Sequence, residues 1–148
     1  MLEQAPNEAA RRLILDYLDR HPLAVLASAS GAGSPQAALM GIAVAVDLSL
    51  VFDTVTTTRK YANLKSNPRV ALVIGCEDEV TLQYEGEAEE LAGEALAAGK
   101  AIYFARWPDG RERESWPDIT YFRVTPRWIR HSDFSRPPPR ITVLDCAP

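Results

Sequence analysis

The sequence predicts a mainly β fold of the α+β type, with six or seven mostly antiparallel strands forming a barrel and two or three helices at its periphery. Three observations predict it: the apolar runs are short, turn residues separate them, and only two or three stretches show helical periodicity. This pattern favours an antiparallel barrel, because a parallel α/β sheet would alternate its strands with helices.

The chain begins with a predicted amphipathic helix over residues 7–20, which Asn7 can cap. Its apolar positions follow the i, i+3, i+4, i+7, i+8 spacing: Ala10, Leu13, Ile14, Tyr17 and Leu18. Pro22 ends this helix. Two short runs, LAVLAS at 23–28 and VALVIG at 70–75, are apolar on both faces and therefore predict wholly buried strands.

Residues 36–46 and 49–54 predict a hairpin that closes near Asp47 and Leu48. Gly41 lies inside the first of these strands. A glycine there marks either a bulge or a close approach of a ligand to the backbone.

The second half of the chain predicts one helix over residues 59–66 and another over 91–105. Residues 80–89 show the clearest period-two alternation, which indicates a strand with one buried face. A polar loop covers 106–118, and two strands at 119–124 and 127–133 are joined at Thr125 and Pro126. The proline-rich segment 136–140 predicts polyproline-type chain on the surface.

Length and composition exclude several classes of protein. The 148 residues, 47% hydrophobic and 24% charged, predict one soluble domain over 1–148, and no apolar run is long enough to cross a bilayer. A net charge of −4 argues against a nucleic-acid partner. The N-terminus lacks a secretory leader, and Cys76 and Cys146 show no metal or disulfide spacing. We therefore expect a cytoplasmic protein without a metal site or a membrane partner.

The stretch TTTRKYANLKSNPRVALVIG, residues 56–75, carries the main candidate for chemistry. Thr58, Arg59 and Lys60 stand at the start of a predicted helix, where cations oppose the helix dipole. A hydroxyl, a guanidinium and an ammonium beside free backbone N–H groups suit a phosphate monoester. The alternative is a solvated helix start whose cations pair with nearby carboxylates.

With its preceding strand, this stretch resembles the pyridoxamine 5′-phosphate oxidase-like flavoproteins. In that family a strand, a Ser/Thr-Arg-Lys turn, a short helix and an Asn-Pro-Arg-Val strand follow one another, as in LVFDTVTTTRKYANLKSNPRVALVIG. HPLAVLASAS is similar to the family's first barrel strand, and YFRVTPRWIR to its late hairpin. The resemblance implies a split β-barrel homodimer with flavin mononucleotide (FMN) at the subunit interface.

The resemblance also implies roles for individual residues. Arg59 and Lys60 hold the FMN phosphate, and the Thr58 hydroxyl donates a hydrogen bond to it. Thr54 lies near the ribityl chain. The other implied contacts are the strand residues Ala38, Leu39, Met40, Gly41 and Ile42 along the isoalloxazine, and Thr81 and Gln83 from the flavin's other side.

Two features depart from the family's oxidases. The strand over 36–46 carries no cation, and each charged hydrogen bond lost in this way costs about 1.5–3 kcal/mol of binding. The C-terminal Arg-x-His substrate clamp is also missing, so we expect no vitamin B6 oxidase activity.

The function that follows is an FMN-dependent oxidoreductase acting on a small-molecule substrate by hydride transfer at flavin N5. The sequence indicates no catalytic side chain, since neither histidine has an acid or a nucleophile at a recognisable spacing. The alternative is a non-catalytic module that binds flavin or haem on the same barrel.

Overall fold

The structure is a computed structural model, and it describes residues 4–146, so the predicted domain ends at residues 1 and 148 lie outside the described residues. Within these residues, four helices and eight strands follow one another along the chain. In order they are α1 (Gln4–Arg20), β1 (Leu23–Ala29), β2 (Pro35–Gly41), β3 (Ala43–Val44), β4 (Leu50–Val55), α2 (Arg59–Ser66), β5 (Arg69–Ile74), β6 (Val80–Glu90), α3 (Gly93–Arg106), a 3-10 helix (Pro108–Ser115), β7 (Ile119–Asp133) and β8 (Arg140–Asp145).

All eight strands belong to one antiparallel sheet, in which seven follow the order β2-β1-β5-β6-β7-β4-β3 and β8 pairs with β7. The long strand β7 pairs with β6 on one edge, while β4 and β8 share its other edge. The sheet curls into a half-barrel, and the predicted split β-barrel with peripheral helices is confirmed.

The core fills the concave side of the sheet. Tyr84 is fully buried, and its hydroxyl lies within hydrogen-bonding distance of the carbonyl oxygens of Leu48 (2.8 Å) and Val124 (3.1 Å). Phe52 and Phe122 stack beside it with centroids 5.6 Å apart. A second cluster lies beneath α3, where Tyr103 and other aromatic residues pack on β4 and β7.

The prediction of two strands joined at Thr125 and Pro126 is wrong, because β7 runs unbroken through both residues. Pro126 lies opposite Gly86, at the point where the register between β6 and β7 shifts. A Cβ on Gly86 would lie 2.4 Å from the Thr125 carbonyl oxygen, so only glycine fits there. A proline within a strand is tolerated at such an irregularity, since the regular ladder is already interrupted.

The predicted strand over 36–46 divides into two. Its first part, β2, pairs with β1, and its second part, β3, forms the predicted hairpin with β4. The break falls at Ile42, whose N–H donates to the Pro22 carbonyl oxygen at 2.8 Å. Strand β8 was not predicted, and it follows directly after the exposed proline-rich segment.

The prediction that β1 and β5 are wholly buried is wrong for the single chain. Both strands alternate between buried and exposed residues, because no described element covers their second side. We name that side the outer face, and define it by six apolar side chains that are 40% to 67% exposed. They are Leu23, Val25, Leu39, Val73, Ile141 and Val143.

No helix within residues 4–146 combines the length and apolar character that crossing a bilayer requires.

Candidate functional site

The barrel is open between β2 and β4, and the first turn of α2 lies across this opening. Lys60 contacts both sides: its Nζ lies 3.9 Å from Met40 Sδ on β2 and 5.8 Å from the ring centroid of Phe52 on β4. Among the described strands none pairs with the second edge of β2. The opening therefore brings a helix N-terminus next to a free strand edge.

The start of α2 is fixed by Thr58, the N-cap residue. Its hydroxyl accepts from the Tyr61 N–H at 3.1 Å and donates to the Val55 carbonyl oxygen at 3.0 Å. Thr54 is buried, and its Oγ1 lies 3.1 Å from that of Thr58. The Thr58 proton is thus engaged within the chain, and a direct bond from it to a phosphate stays a prediction.

The backbone at this helix start has free donors. The Ala62 N–H is the first to bond back along the helix, to the Thr58 carbonyl oxygen at 3.5 Å. The N–H groups of Arg59 and Lys60 come before it and have no intrahelical acceptor.

The two cations beside these donors form no ion pair. No carboxylate oxygen among residues 4–146 lies within 4.0 Å of Arg59 or Lys60, so the alternative in which they pair with carboxylates is not observed. Arg59 is exposed, and Lys60 is partly buried. Burial lowers the pKa of the Lys60 ammonium, and the charge of Asp53 opposes this shift. Both cations are available to an anion.

A cleft of about 200 Å³ adjoins these residues. It brings together Ala38, Thr58, Arg59 and Lys60 from the predicted set. Its remaining lining residues, which the sequence did not indicate, are Leu26, Ser28, Gln36, Ala37 and Asn63.

Asn63 links the three elements around the cleft. Its side chain is buried, and its Nδ2 donates to Ser28 Oγ at 3.0 Å on β1 and to Gln36 Oε1 at 2.9 Å on β2. The sequence offers one indication that Asn63 belongs to the site. It lies four residues after Arg59, which places both side chains on one face of the helix.

The free edge of β2 offers backbone groups at alternate residues. Hydrogen bonds from Ser30 N–H to the Ser34 carbonyl and from Ile42 N–H to the Pro22 carbonyl mark the two ends of the β1–β2 pairing. Because bonded pairs alternate in an antiparallel ladder, Leu39 and Gly41 direct their N–H and C=O groups away from β1. Of the predicted ring contacts at 38–42, these two therefore have free backbone groups.

Gly41 is required by a tryptophan of the same chain. A Cβ at this position would lie 2.8 Å from two carbons of the Trp107 ring. The Trp107 indole also donates to the Ile42 carbonyl oxygen at 2.9 Å. The contact with Trp107 in the same chain therefore explains why residue 41 is a glycine, without a ligand.

Thr81 and Gln83 lie away from the cleft. Cross-strand pairing runs from Leu39 through Val25 and Val73 to Gln83, so three strand spacings, about 14 Å, separate β2 from β6. Gln83 is exposed and Thr81 partly exposed. In one chain, the predicted site residues therefore form two separate groups, one around the cleft and β2 and the other on β6.

The sequence model of the pyridoxamine 5′-phosphate oxidase family matches residues 10–133, which is most of the 148-residue chain. The chain belongs to this family.

Solved structures of other proteins share this fold. A heme binding protein from Mycobacterium smegmatis has a TM-score of 0.79 at 17% identity and covers 92% of this chain. A protein of unknown function from Agrobacterium tumefaciens has 0.74 at 22% identity and covers 83%. The chain spans 57% and 56% of these two proteins' own chains.

A third neighbour is a pyridoxamine 5′-phosphate oxidase-related, FMN binding protein from Nostoc punctiforme. Its TM-score is 0.65 at 12% identity, and the match covers 96% of this chain and 95% of the other. At such identities the likeness concerns the fold. The comparison with curated proteins found no match.

The residues of this family member fit the phosphate end of FMN. Two unpaired cations, two free N–H groups and the open edge of β2 surround the cleft, which is a suitable donor set for an anion. The volume of about 200 Å³ lies below the 300–1,000 Å³ typical of sites that enclose a whole ligand of this size. An isoalloxazine ring would need a further surface outside this cleft.

Proposed function

We propose that this protein is an FMN-binding flavoprotein that acts as a homodimer and carries out oxidoreductase chemistry on a small molecule. The observation that carries the proposal is the pair of cations Arg59 and Lys60, which stand unpaired at a helix N-terminus. Two like charges at the positive end of a helix dipole are unfavourable without an anion. A phosphate monoester supplies that anion and accepts the free N–H groups.

The proposal requires a second copy of the chain. Thr81 and Gln83, proposed to contact the flavin from its other side, lie about 14 Å from β2 in their own subunit. A twofold-symmetric dimer through the outer face would bring one subunit's β6 near the other's β2. The six exposed apolar side chains of the outer face support this, because a patch of this kind usually marks an interaction site.

The chemistry proposed for the site needs few protein groups. Bound FMN supplies hydride transfer at its N5 atom. The residues of the chain hold the phosphate, position the ring with the backbone of Leu39 and Gly41, and exclude water through the apolar outer face.

The free thiols of Cys76 and Cys146 support the proposal of a reducing, cytoplasmic location.

The second candidate is a module that binds flavin or haem without turnover. It is supported by the heme binding protein of M. smegmatis, which shares the fold. No histidine lines the cleft beside Arg59. A haem would therefore bind at a different part of the molecule, where the partly exposed His21 offers an imidazole ligand.

The visible spectrum of the purified protein, before and after addition of FMN, tests the proposal. We expect flavin absorption that remains with the protein through gel filtration. A Soret band would favour the haem candidate. Protein that leaves gel filtration colourless after mixing with FMN would contradict flavin binding, both in the oxidoreductase and in the non-catalytic module.

A further inference from the structure

Helix α2, which carries the two unpaired cations, is joined to the sheet by two buried residues, Asn63 and Leu64. Leu64 packs into the core through apolar contacts, which are not directional. Asn63 is only 5% exposed and bonds to the sheet through its side-chain amide. A hydrogen bond depends on angle as well as distance, so Asn63 is the buried residue that can fix the orientation of the helix.

The two acceptors of the Asn63 amide are neighbours in the sheet. Ser28 on β1 and Gln36 on β2 lie directly opposite each other in the β1–β2 ladder. Nδ2 donates to Ser28 Oγ at 3.0 Å and to Gln36 Oε1 at 2.9 Å, so both amide protons are engaged by one cross-strand pair. These two bonds oppose rotation of α2 about its own axis.

The two cations lie one helical turn before this amide. Arg59 and Lys60 precede Asn63 by four and three residues, so all three side chains share one helix face. Lys60 Nζ lies 3.9 Å from Sδ of Met40, four residues beyond Gln36 on β2. The helix therefore contacts β2 at two points about 13 Å apart, and the cleft lies between them.

We propose that Asn63 is a positioning residue for the bound anion: its hydrogen bonds hold α2 so that the Arg59 and Lys60 side chains and the free N–H groups converge on one phosphate. A guanidinium binds phosphate in a planar, bidentate geometry, so a small rotation of the helix weakens that contact. The identity of the anion as the FMN phosphate rests on the proposed function, whereas the positioning of the helix does not.

The Asn63→Leu variant keeps a branched side chain of similar shape and removes both hydrogen bonds. In protein that circular dichroism shows to be folded, FMN should bind about tenfold more weakly. Riboflavin, which has no phosphate, should bind almost as it does to the unmodified protein. A residue that only supports folding would not change the ratio of FMN to riboflavin affinity in the folded protein.

A second variant, Gln36→Leu, removes one of the two bonds from the strand side. Gln36 is partly exposed, so this variant provides the test even where Asn63→Leu does not fold. The affinity ratio should change in the same direction by a smaller factor. The double variant should lose no more FMN affinity than Asn63→Leu alone, because both substitutions remove the same interaction.

The matched control is Tyr61→Phe, on the same helix. It removes the exposed hydrogen bond from the Tyr61 hydroxyl to Glu90 Oε1 at 2.8 Å and keeps the aromatic ring. The ratio of FMN to riboflavin affinity should stay as in the unmodified protein. An unchanged ratio in the folded Asn63 and Gln36 variants, or an equal change in Tyr61→Phe, would overturn the inference.

Inorganic phosphate separates this inference from the proposed function, since its binding does not require a flavin. Added phosphate should raise the Tm of the unmodified protein, and it should raise that of the Gln36 and Asn63 variants by less. A failure of FMN to bind would contradict the proposed function alone. A phosphate effect on Tm that is absent from the unmodified protein, or equal in all three proteins, would overturn the inference.

Discussion

The indole Nε1–H of Trp107 donates a hydrogen bond to the carbonyl oxygen of Ile42 at 2.9 Å. This contact ties the end of α3 to the point where β2 ends and β3 begins. The ring lies against Gly41, so the position of the free β2 edge depends on a residue more than sixty positions away. Trp107 of the same subunit therefore supports the strand segment that is proposed to contact the flavin ring.

The Gly41→Ala variant should lose about 1–3 kcal/mol of unfolding free energy, because the new Cβ would overlap a rigid aromatic ring. Urea denaturation measures this loss. Trp107→Leu should also destabilise, since it leaves the buried Ile42 carbonyl without a donor. The double variant should lose less than the sum of the two, as the clash is then absent. Additive losses would show that Gly41 is required for another reason.

The Asp53→Asn variant should destabilise the protein by about 1.5–3 kcal/mol. Asp53 Oδ2 accepts from Arg113 Nε at 2.8 Å and its Oδ1 from the Tyr103 hydroxyl at 3.1 Å, which ties the 3-10 helix and α3 to β4. These side chains are only 14% (Asp53) and 25% (Arg113) exposed, and the hydrogen bond that Arg113 donates to Asp53 raises the pKa of Arg113.

The matched control for Asp53 is Glu87→Gln. Glu87 pairs with Arg127 at 2.9 Å, but both side chains are nearly half exposed, so less than about 1 kcal/mol should be lost. Equal losses in the two variants, measured by urea denaturation, would contradict a special role for the Asp53 network.

Stability should fall as the pH drops below about 6.5, the ordinary pKa of histidine, because His131 is buried in the folded state. Burial lowers the pKa of His131, and Asp133 opposes the shift while Arg20 and His21 add to it. The unfolded chain then binds the proton more readily, so the contribution is fully present above that pH and is lost below it, by at most about 1.4 kcal/mol per pH unit.

The measurement is urea denaturation between pH 8 and 5. His131→Phe should flatten the dependence between pH 6.5 and 5, and His21→Phe should leave most of it. The Nδ1 atom of His131 has no hydrogen-bond partner among the described residues, and its ring meets Tyr17 edge-on at 4.9 Å, so a phenyl ring can take its place. An unchanged slope in His131→Phe would assign the acid sensitivity to other groups.

The Val73→Asp variant should convert a dimer into a 16.3 kDa monomer in sedimentation, because it places a charge at the centre of the outer face. FMN binding should be lost with the dimer. Val46→Asp, on an exposed turn, is the control and should stay dimeric. A monomer that retains FMN with undiminished affinity would contradict a site shared between two subunits.

Local patterns were sufficient to predict much of this fold. Helix α2 spans 59–66 and β6 alternates over 80–89, as the sequence indicated, because short-range hydrogen bonding and burial of one face determine both. The pattern of short apolar runs predicted the antiparallel barrel, and the cleft brings together four of the residues that the resemblance implied.

Long-range contacts explain what the sequence could not predict. In the sequence, Pro126 predicts the end of a strand, but its pairing with Gly86 allows β7 to continue. The division of the predicted strand 36–46 at Ile42 depends on hydrogen bonds with Pro22 and Trp107. The bonds of Asn63 to two other elements arise only after the chain has folded. The apolar runs of β1 and β5 gave the correct strands, but periodicity alone did not show that one face remains open in the single chain.

The measurement that tests the central claim most directly compares FMN and riboflavin binding to the Arg59→Ala variant. Removing a charged contact to the phosphate should weaken FMN binding by about ten- to a hundredfold. Riboflavin lacks the phosphate, so its weaker binding should be almost unchanged, and Lys65→Ala at the other end of α2 should affect neither ligand. Equal losses of FMN and riboflavin affinity in Arg59→Ala would contradict the assignment of this helix start to the FMN phosphate.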